Sequence, residues 1–404
     1  MEFTGCKLEF KLNPQSPLIH FQPDEAGATV RATELKPKLD KFLIEQFNRE
    51  NVSYKAWLAK EDDNTKAEAL DYKVRIRTEV PSYKVALGVN GREPYSIYFG
   101  NMGNNAIQKA GIISYPIVTI ICFKSGLREQ ITKHIYDFFY VTNFGTMQSK
   151  GFGGFLIEGD APSEEKLLKA FRNKGAKGIY RMDFKEAPIS WGEVEPNYAI
   201  SIKMFKNIKR FYSVMKSGQN LMVLRTPMGY ARSYLFEYMH KVLGIDNEKA
   251  WMKENRISPN LETNHVRYVY QKNPNPRYVR AMFGKGDVIR YIERIRSKDR
   301  LDIDISPAKS NKLKRIPSTI LFKVIGSHVY ILGKSIPAEV YDQEFVFSGY
   351  KTDSLKTPSK ADFKDFGGEF PMRDFLDKYV DYYNNKCRTD LKDMNRFEKV
   401  AKCE

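Results

Sequence analysis

The sequence predicts an α+β protein built on antiparallel sheets. Short runs alternate polar and apolar residues at period two, longer stretches gather apolar residues on one helical face, and the two kinds of segment interleave along the chain. Lys7-Leu8-Glu9-Phe10-Lys11-Leu12 alternates strictly and predicts a half-buried strand. Residues 13–31 carry Pro14, Pro17, Pro23 and Gly27 and read as a loop. Residues 33–47 set Leu35, Leu39, Phe42, Leu43 and Phe47 on one helical face, with Pro37 tolerable only in the first turn. Residues 72–77 predict a strand with Lys73, Arg75 and Arg77 on one side, and residues 117–123, with Cys122, a buried strand. Ser125 is expected to cap a second helix whose stripe is Leu127, Ile131, Ile135, Phe138 and Phe139. The turn Asn143-Phe144-Gly145 leads to Lys150-Gly151-Phe152-Gly153-Gly154-Phe155-Leu156-Ile157, a glycine-rich loop entering a final strand. The order β, α, β, β, α, β is that of a ferredoxin-like (RRM-like) module, an antiparallel sheet with both helices on one face.

Beyond this first module (1–160) the polar residues 158–175 suggest a connector with a short amphipathic segment, extending to 194. A second, less regular copy is expected over 195–350. Its elements are strands at 199–205 and 221–225, then Thr226-Pro227-Met228-Gly229. They continue with a helix carrying Tyr234, Leu235, Tyr238, Met239 and Leu243, a segment at 266–270, a helix at 288–295 and a strand at 319–325. Residues 351–404 mix charge and aromatics, with a helix-like stretch at 372–383, and read as a terminal lobe.

Composition narrows the function. The 404 residues hold 66 Lys plus Arg against 49 Asp plus Glu, a net charge of +17, which favours a polyanionic partner. No apolar run approaches the roughly 20 residues that span a bilayer, and MEFTGCKLEF lacks a signal-peptide core, so a cytoplasmic protein with no membrane partner is expected. Cys6, Cys122, Cys387 and Cys403 form no CxxC pair and the five histidines are dispersed, so neither a metal site nor a cofactor is expected. Asp62-Asp63 and Asp302 with Asp304 also lack metal-site spacing.

The most informative stretch runs from Phe144 to Phe155. Its glycines allow backbone amides close to a phosphate, Lys150 supplies charge, and Phe152 and Phe155 either stack on bases or pack beneath the loop. A helix passing through a small-residue turn into a basic glycine-rich loop before the last strand resembles the RAMP superfamily of CRISPR proteins. Gly27-Ala28-Thr29-Val30-Arg31-Ala32-Thr33-Glu34-Leu35-Lys36 is similar to that family's opening of the first helix. Arg315-Ile316-Pro317-Ser318-Thr319-Ile320-Leu321-Phe322-Lys323-Val324 is similar to a late strand of its double-module, Cmr-type members. The chain departs from the family loop at Gln148 and Ser149, where arginines are more usual.

The resemblance implies a subunit of a type III effector that binds guide RNA, target RNA or both, with other CRISPR effector subunits as partners. Lys150, Gly151, Phe152, Gly153, Gly154 and Phe155 are the expected RNA contacts of the loop. Three basic clusters join them: Lys73, Arg75 and Arg77; Arg31, Lys36, Lys38 and Lys41; and Lys312, Lys314 and Arg315. A non-catalytic role is expected, because the endoribonuclease branch carries its glycine-rich loop near the C-terminus. Two alternatives stay open. One is RNA cleavage, with His20, near Lys7, Lys11 and Arg31, as proton-transfer group, or with Asp24, placed where backbone subunits carry a loop aspartate. The other is an adaptor that holds protein partners through its tail.

Overall fold

The computed structural model describes residues 2–19, 28–59, 68–78, 83–86, 110–185, 198–223, 226–231, 233–257, 275–285, 288–292, 300–308, 313, 316–387 and 398–404. They form a mixed α+β protein of two compact units. One comprises Met1–Lys209, Leu321–Leu332 and Cys403–Glu404; the other comprises Arg210–Ile320 and Gly333–Lys402.

The first unit opens with β1 (Lys7–Pro14), α1 (Ala32–Glu50), β2 (Lys73–Thr78), β3 (Tyr83–Ala86), β4 (Ala110–Ile113), β5 (Pro116–Ile121), α2 (Ser125–Val141) and β6 (Phe155–Ile157). β3 and β4 pair as a separate two-stranded antiparallel sheet, and the other four strands make a sheet ordered β2-β5-β1-β6. Every pairing in that sheet is antiparallel. Period-two alternation splits β1 between two environments. Leu8, Phe10 and Leu12 enter one core with Leu35, Leu39, Phe42 and Leu43 of α1 and Ile131, Ile135 and Phe138 of α2. Both helices therefore cover the same face. An edge-on ring contact of Phe10 with Phe139 at 5.9 Å joins sheet to helix, and a tilted contact of Phe42 with Phe138 at 5.6 Å joins the two helices.

Two local details differ from expectation. Pro37 lies in the second turn of α1, not the first. The helix continues through it at the loss of one backbone bond, because five buried apolar residues (Leu35, Leu39, Phe42, Leu43 and Phe47) hold it against the sheet. Ser125 is the first helical residue of α2, while Lys124 is the N-cap and makes no side-chain capping bond.

The chain continues with α3 (Glu164–Asn173), β7 (Ala176–Asp183), α4 (Tyr198–Lys216), β8 (Gln219–Val223), β9 (Thr226–Ala231), α5 (Tyr234–Leu243), β10 (Asp246–Asn247), α6 (Glu248–Glu254), β11 (Pro276–Arg277), β12 (Val288–Ile292), β13 (Arg300–Pro307), β14 (Ile320–Ile325), β15 (His328–Lys334), β16 (Glu344–Ser348), β17 (Thr352–Lys356) and α7 (Met372–Tyr382). In the first unit β14, β15 and β7 are neighbours in that order. On the far side of β7, Cys403 donates its amide to the Ile179 carbonyl at 2.9 Å. Numbering β7, β14, β15 and the C-terminal residues one to four gives the order 2-3-1-4. That is also the order of the first sheet when β1, β2, β5 and β6 are numbered the same way. β7 itself lies in the stretch expected to be a connector.

The second unit holds an antiparallel sheet in plain chain order, β12-β13-β16-β17. Two elements reverse the sequence reading. Residues 199–205, expected as a strand, belong to the 19-residue helix α4, because the apolar period runs on through Met204, Ile208, Phe211 and Met215, all buried. Residues 288–292, expected as helix, form β12, whose Val288-Ile289-Arg290-Tyr291-Ile292 run suits a pleated surface and pairs residue for residue with β13. The segment 266–270 lies outside the described residues.

Candidate nucleic-acid interface

The face of the first sheet left uncovered by its helices is built in three cross-strand rows. Directly paired residues in antiparallel strands share a face. The pairings of β5 with β2 and β1 therefore set Lys73, Ile121 and Lys7 in one row, Arg75, Thr119 and Glu9 in the next, and Arg77, Ile117 and Lys11 in the third. Along β2, residues 73, 75 and 77 are exposed while the residues between them are half-buried. Glu9 is the acidic group in these rows. It accepts the Thr119 hydroxyl at 2.8 Å and pairs with Lys7 at 3.0 Å and Arg77 at 3.7 Å. The Thr119 hydroxyl first, then Lys7, hold its carboxyl below the ordinary value. Lys11 pairs with Glu158 at 3.1 Å. Among the described residues, Lys73 and Arg75 make no ion pair, so their charge faces outward.

The glycine-rich segment has a different character. Gly151, Phe152, Gly153, Gly154 and Phe155 are all buried, with Phe152 and Phe155 about 1% exposed or less. Of the two roles open to those rings, packing is the one displayed. Phe152 stacks on Phe205 at 4.0 Å, and Phe155 meets Phe144 edge-on at 6.1 Å. The amides are already engaged: Gly153 donates to the Pro17 carbonyl at 2.9 Å and Gly154 to the Ser16 hydroxyl at 2.8 Å. The expectation that these amides lie open to a phosphate is therefore not met in this state, since each would first have to break an internal bond. Lys150 lies against the Phe322 ring, its ammonium 5.8 Å from the centroid.

Beneath the loop lies a polar cluster. Glu34 accepts the Gly145 amide at 2.9 Å and the Lys38 ammonium at 2.6 Å. Lys38 also donates to the Asn143 carbonyl at 2.8 Å and to Gln148 Oε1 at 2.7 Å. Asn143 Nδ2 donates to the Gln148 and Phe322 carbonyls. Lys323, fully buried on β14, donates to the Thr142 carbonyl at 2.6 Å. Burial first, then the charge of Lys38, brings its ammonium down to about 7. Lys36 is likewise occupied, donating to Asp40 at 2.7 Å and to the Leu70 carbonyl at 3.0 Å.

The other expected site residues separate. Arg31 is exposed at the N-cap of α1. His20, Asp24, Lys312, Lys314 and Arg315 lie outside the described residues. The first loop is nonetheless tied to the glycine-rich segment at its start, where Thr146 donates its amide to the Ile19 carbonyl at 3.0 Å. Sequence reasoning missed that Lys7 and Lys11 stand in the same rows as β2, which only the strand order reveals. It also missed Lys323, although a lysine inside an apolar strand was a readable signal. No group of three or more His, Cys, Asp or Glu is placed to hold a metal among the described residues, and none of their helices is long and apolar enough to cross a membrane.

Two family models cover nearly the whole chain: the Cmr1 N-terminal domain matches residues 5–219 and the Cmr1 C-terminal domain residues 230–402. No curated protein matches. The chain therefore belongs to the Cmr1 family, Cmr-type RAMP proteins that serve as type III CRISPR effector subunits beside other Cmr subunits.

Proposed function

We propose that this chain is a non-catalytic RNA-binding subunit of its effector, holding guide or target RNA along the open face of the first sheet. One observation carries the reading: the three rows bring Lys7, Lys11, Lys73, Arg75 and Arg77 onto one surface, against the carboxylates Glu9 and Glu158. Such a surface suits phosphates, which position a strand without reading its sequence. Arg31 adds a further exposed cation, and the net charge of +17 fits a polyanionic ligand. The glycine-rich segment has its amides and rings spent on internal contacts, which favours the sheet face over the loop as the RNA surface. Its position in the middle of the chain supports the non-catalytic reading over cleavage through His20 or Asp24.

Lys73→Glu, Arg75→Glu and Arg77→Glu combined test this. Each phosphate contact on a single strand contributes about −0.7 to the slope of log affinity against log salt. The triple variant should therefore flatten that slope by about 2 relative to the unaltered protein. An unchanged slope and dissociation constant would remove the sheet face from RNA binding.

A further inference from the structure

Phe123 follows directly on the cationic rows. It stands two residues beyond Ile121, about 6.8 Å further along the strand direction, and is 78% exposed. Cys122 before it points into the core and is fully buried. The backbone here is held firmly. Cys122 donates its amide to the Cys6 carbonyl at 2.9 Å, and Arg128 donates to the Cys122 and Phe123 carbonyls at 3.3 and 3.1 Å. The ring is thus an apolar plate on the short connection between β5 and α2, whose backbone these bonds tie down.

Single exposed apolar residues are common and by themselves mean nothing. The surroundings of this one are specific. Lys7 and Lys73 flank Ile121 in the adjacent row, and Lys124 and Arg128 follow Phe123 in the chain. The nearby acid, Asp71, is paired with Lys124 at 3.4 Å. A protein-docking patch has an apolar centre from which charged groups are depleted. An exposed aromatic plate bordered by cations matches instead the arrangement that holds unpaired nucleic acid, where bases stack and phosphates find positive charge.

We propose that Phe123 is a stacking platform for an unpaired base of single-stranded RNA, at the end of the sheet face whose cations hold the phosphates. This rests on the RNA-binding reading above. It adds that the ligand is single-stranded at this point and that its path ends on this ring.

The full chain is titrated with a labelled single-stranded RNA and with the perfectly paired duplex of the same sequence. Phe123→Ala should weaken single-strand binding about tenfold, near 1.4 kcal/mol, and leave duplex binding unchanged, while Phe123→Tyr retains the original affinity. If Phe123→Ala binds the single strand normally while the Lys73/Arg75/Arg77 triple variant does not, the platform is refuted and the sheet-face reading stands. If both variants bind normally, the reading itself has failed. Equal losses on single strand and duplex rule out stacking. Intact RNA affinity with lost capture of partner Cmr subunits would reassign the ring to a protein contact.

Discussion

Lys323 offers a perturbation whose size and sign both follow from its setting. The ammonium is buried in β14 beside the Thr142 carbonyl and titrates at about 7, against an ordinary 10.5. Below pH 7 both folded and unfolded chains carry the proton, and the folded protein bears the full cost of a buried charge. Between pH 7 and 10.5 the unfolded chain holds the proton and the folded one does not, so stability rises with pH by about 1.4 kcal/mol per pH unit. Across the window this amounts to about 5 kcal/mol. Lys323→Met removes that dependence and leaves the Thr142 carbonyl without its donor, a loss of about 1–3 kcal/mol. The variant should therefore be more stable than the unaltered protein at pH 6 by about 2–4 kcal/mol, with the two curves crossing near pH 9. Urea unfolding at pH 6, 7.5 and 9 measures this, read by hydrogen-exchange mass spectrometry of peptides from residues 117–141 so that the first unit alone is scored. A gap between the two proteins that stays constant from pH 6 to 9 would show that the lysine titrates at its ordinary value and that the burial argument is wrong.

Gly153 has φ +69°, and a Cβ there would stand 1.9 Å from the Phe144 carbonyl oxygen, which is backbone and cannot swing aside. Gly153→Ala should cost about 3–5 kcal/mol, whereas Gly159→Ala, with φ +79° and nothing within 4 Å of its Cβ, should cost only the conformational strain of about 1–2 kcal/mol; thermal unfolding of the two variants side by side checks the difference. Phe152→Ala removes a buried ring stacked on Phe205 and should cost about 3–5 kcal/mol in the same measurement. A loss below about 1 kcal/mol would mean that the ring is not part of the core.

The legible parts of this fold are those whose signal is local. The six elements of the first module carry either a clear period (β1, α1, β2 and α2) or a short apolar run (β5 and β6), and they stand where those signals put them. The misread segments are short, ambiguous runs: Ala199-Ile200-Ser201-Ile202 alternates like a strand for four residues before the helical period of α4 takes over, and the five residues of β12 are too few to show either period. What no window could reveal is closure over long separation. β7 waits some 140 residues for β14 and β15, and its other neighbour comes from the C-terminal end of the chain. The glycine-rich segment shows the same limit at the site. Its composition announced a special backbone correctly, but whether its amides face a ligand or the protein depends on Ser16 and Pro17, neither of which is near in sequence. Once those distant partners take up the amides, the phosphate backbone is left, on the proposed reading, to cations on the sheet, where Lys7, Lys11 and Arg77 pair with Glu9 or Glu158. Lys36, Lys38 and Lys323 are tied down by carboxylates and carbonyls, whereas Lys73 and Arg75 stand exposed and make no ion pair among the described residues. That difference in occupation, more than the abundance of lysine, is the ground for proposing the RNA surface on the sheet and not at the loop.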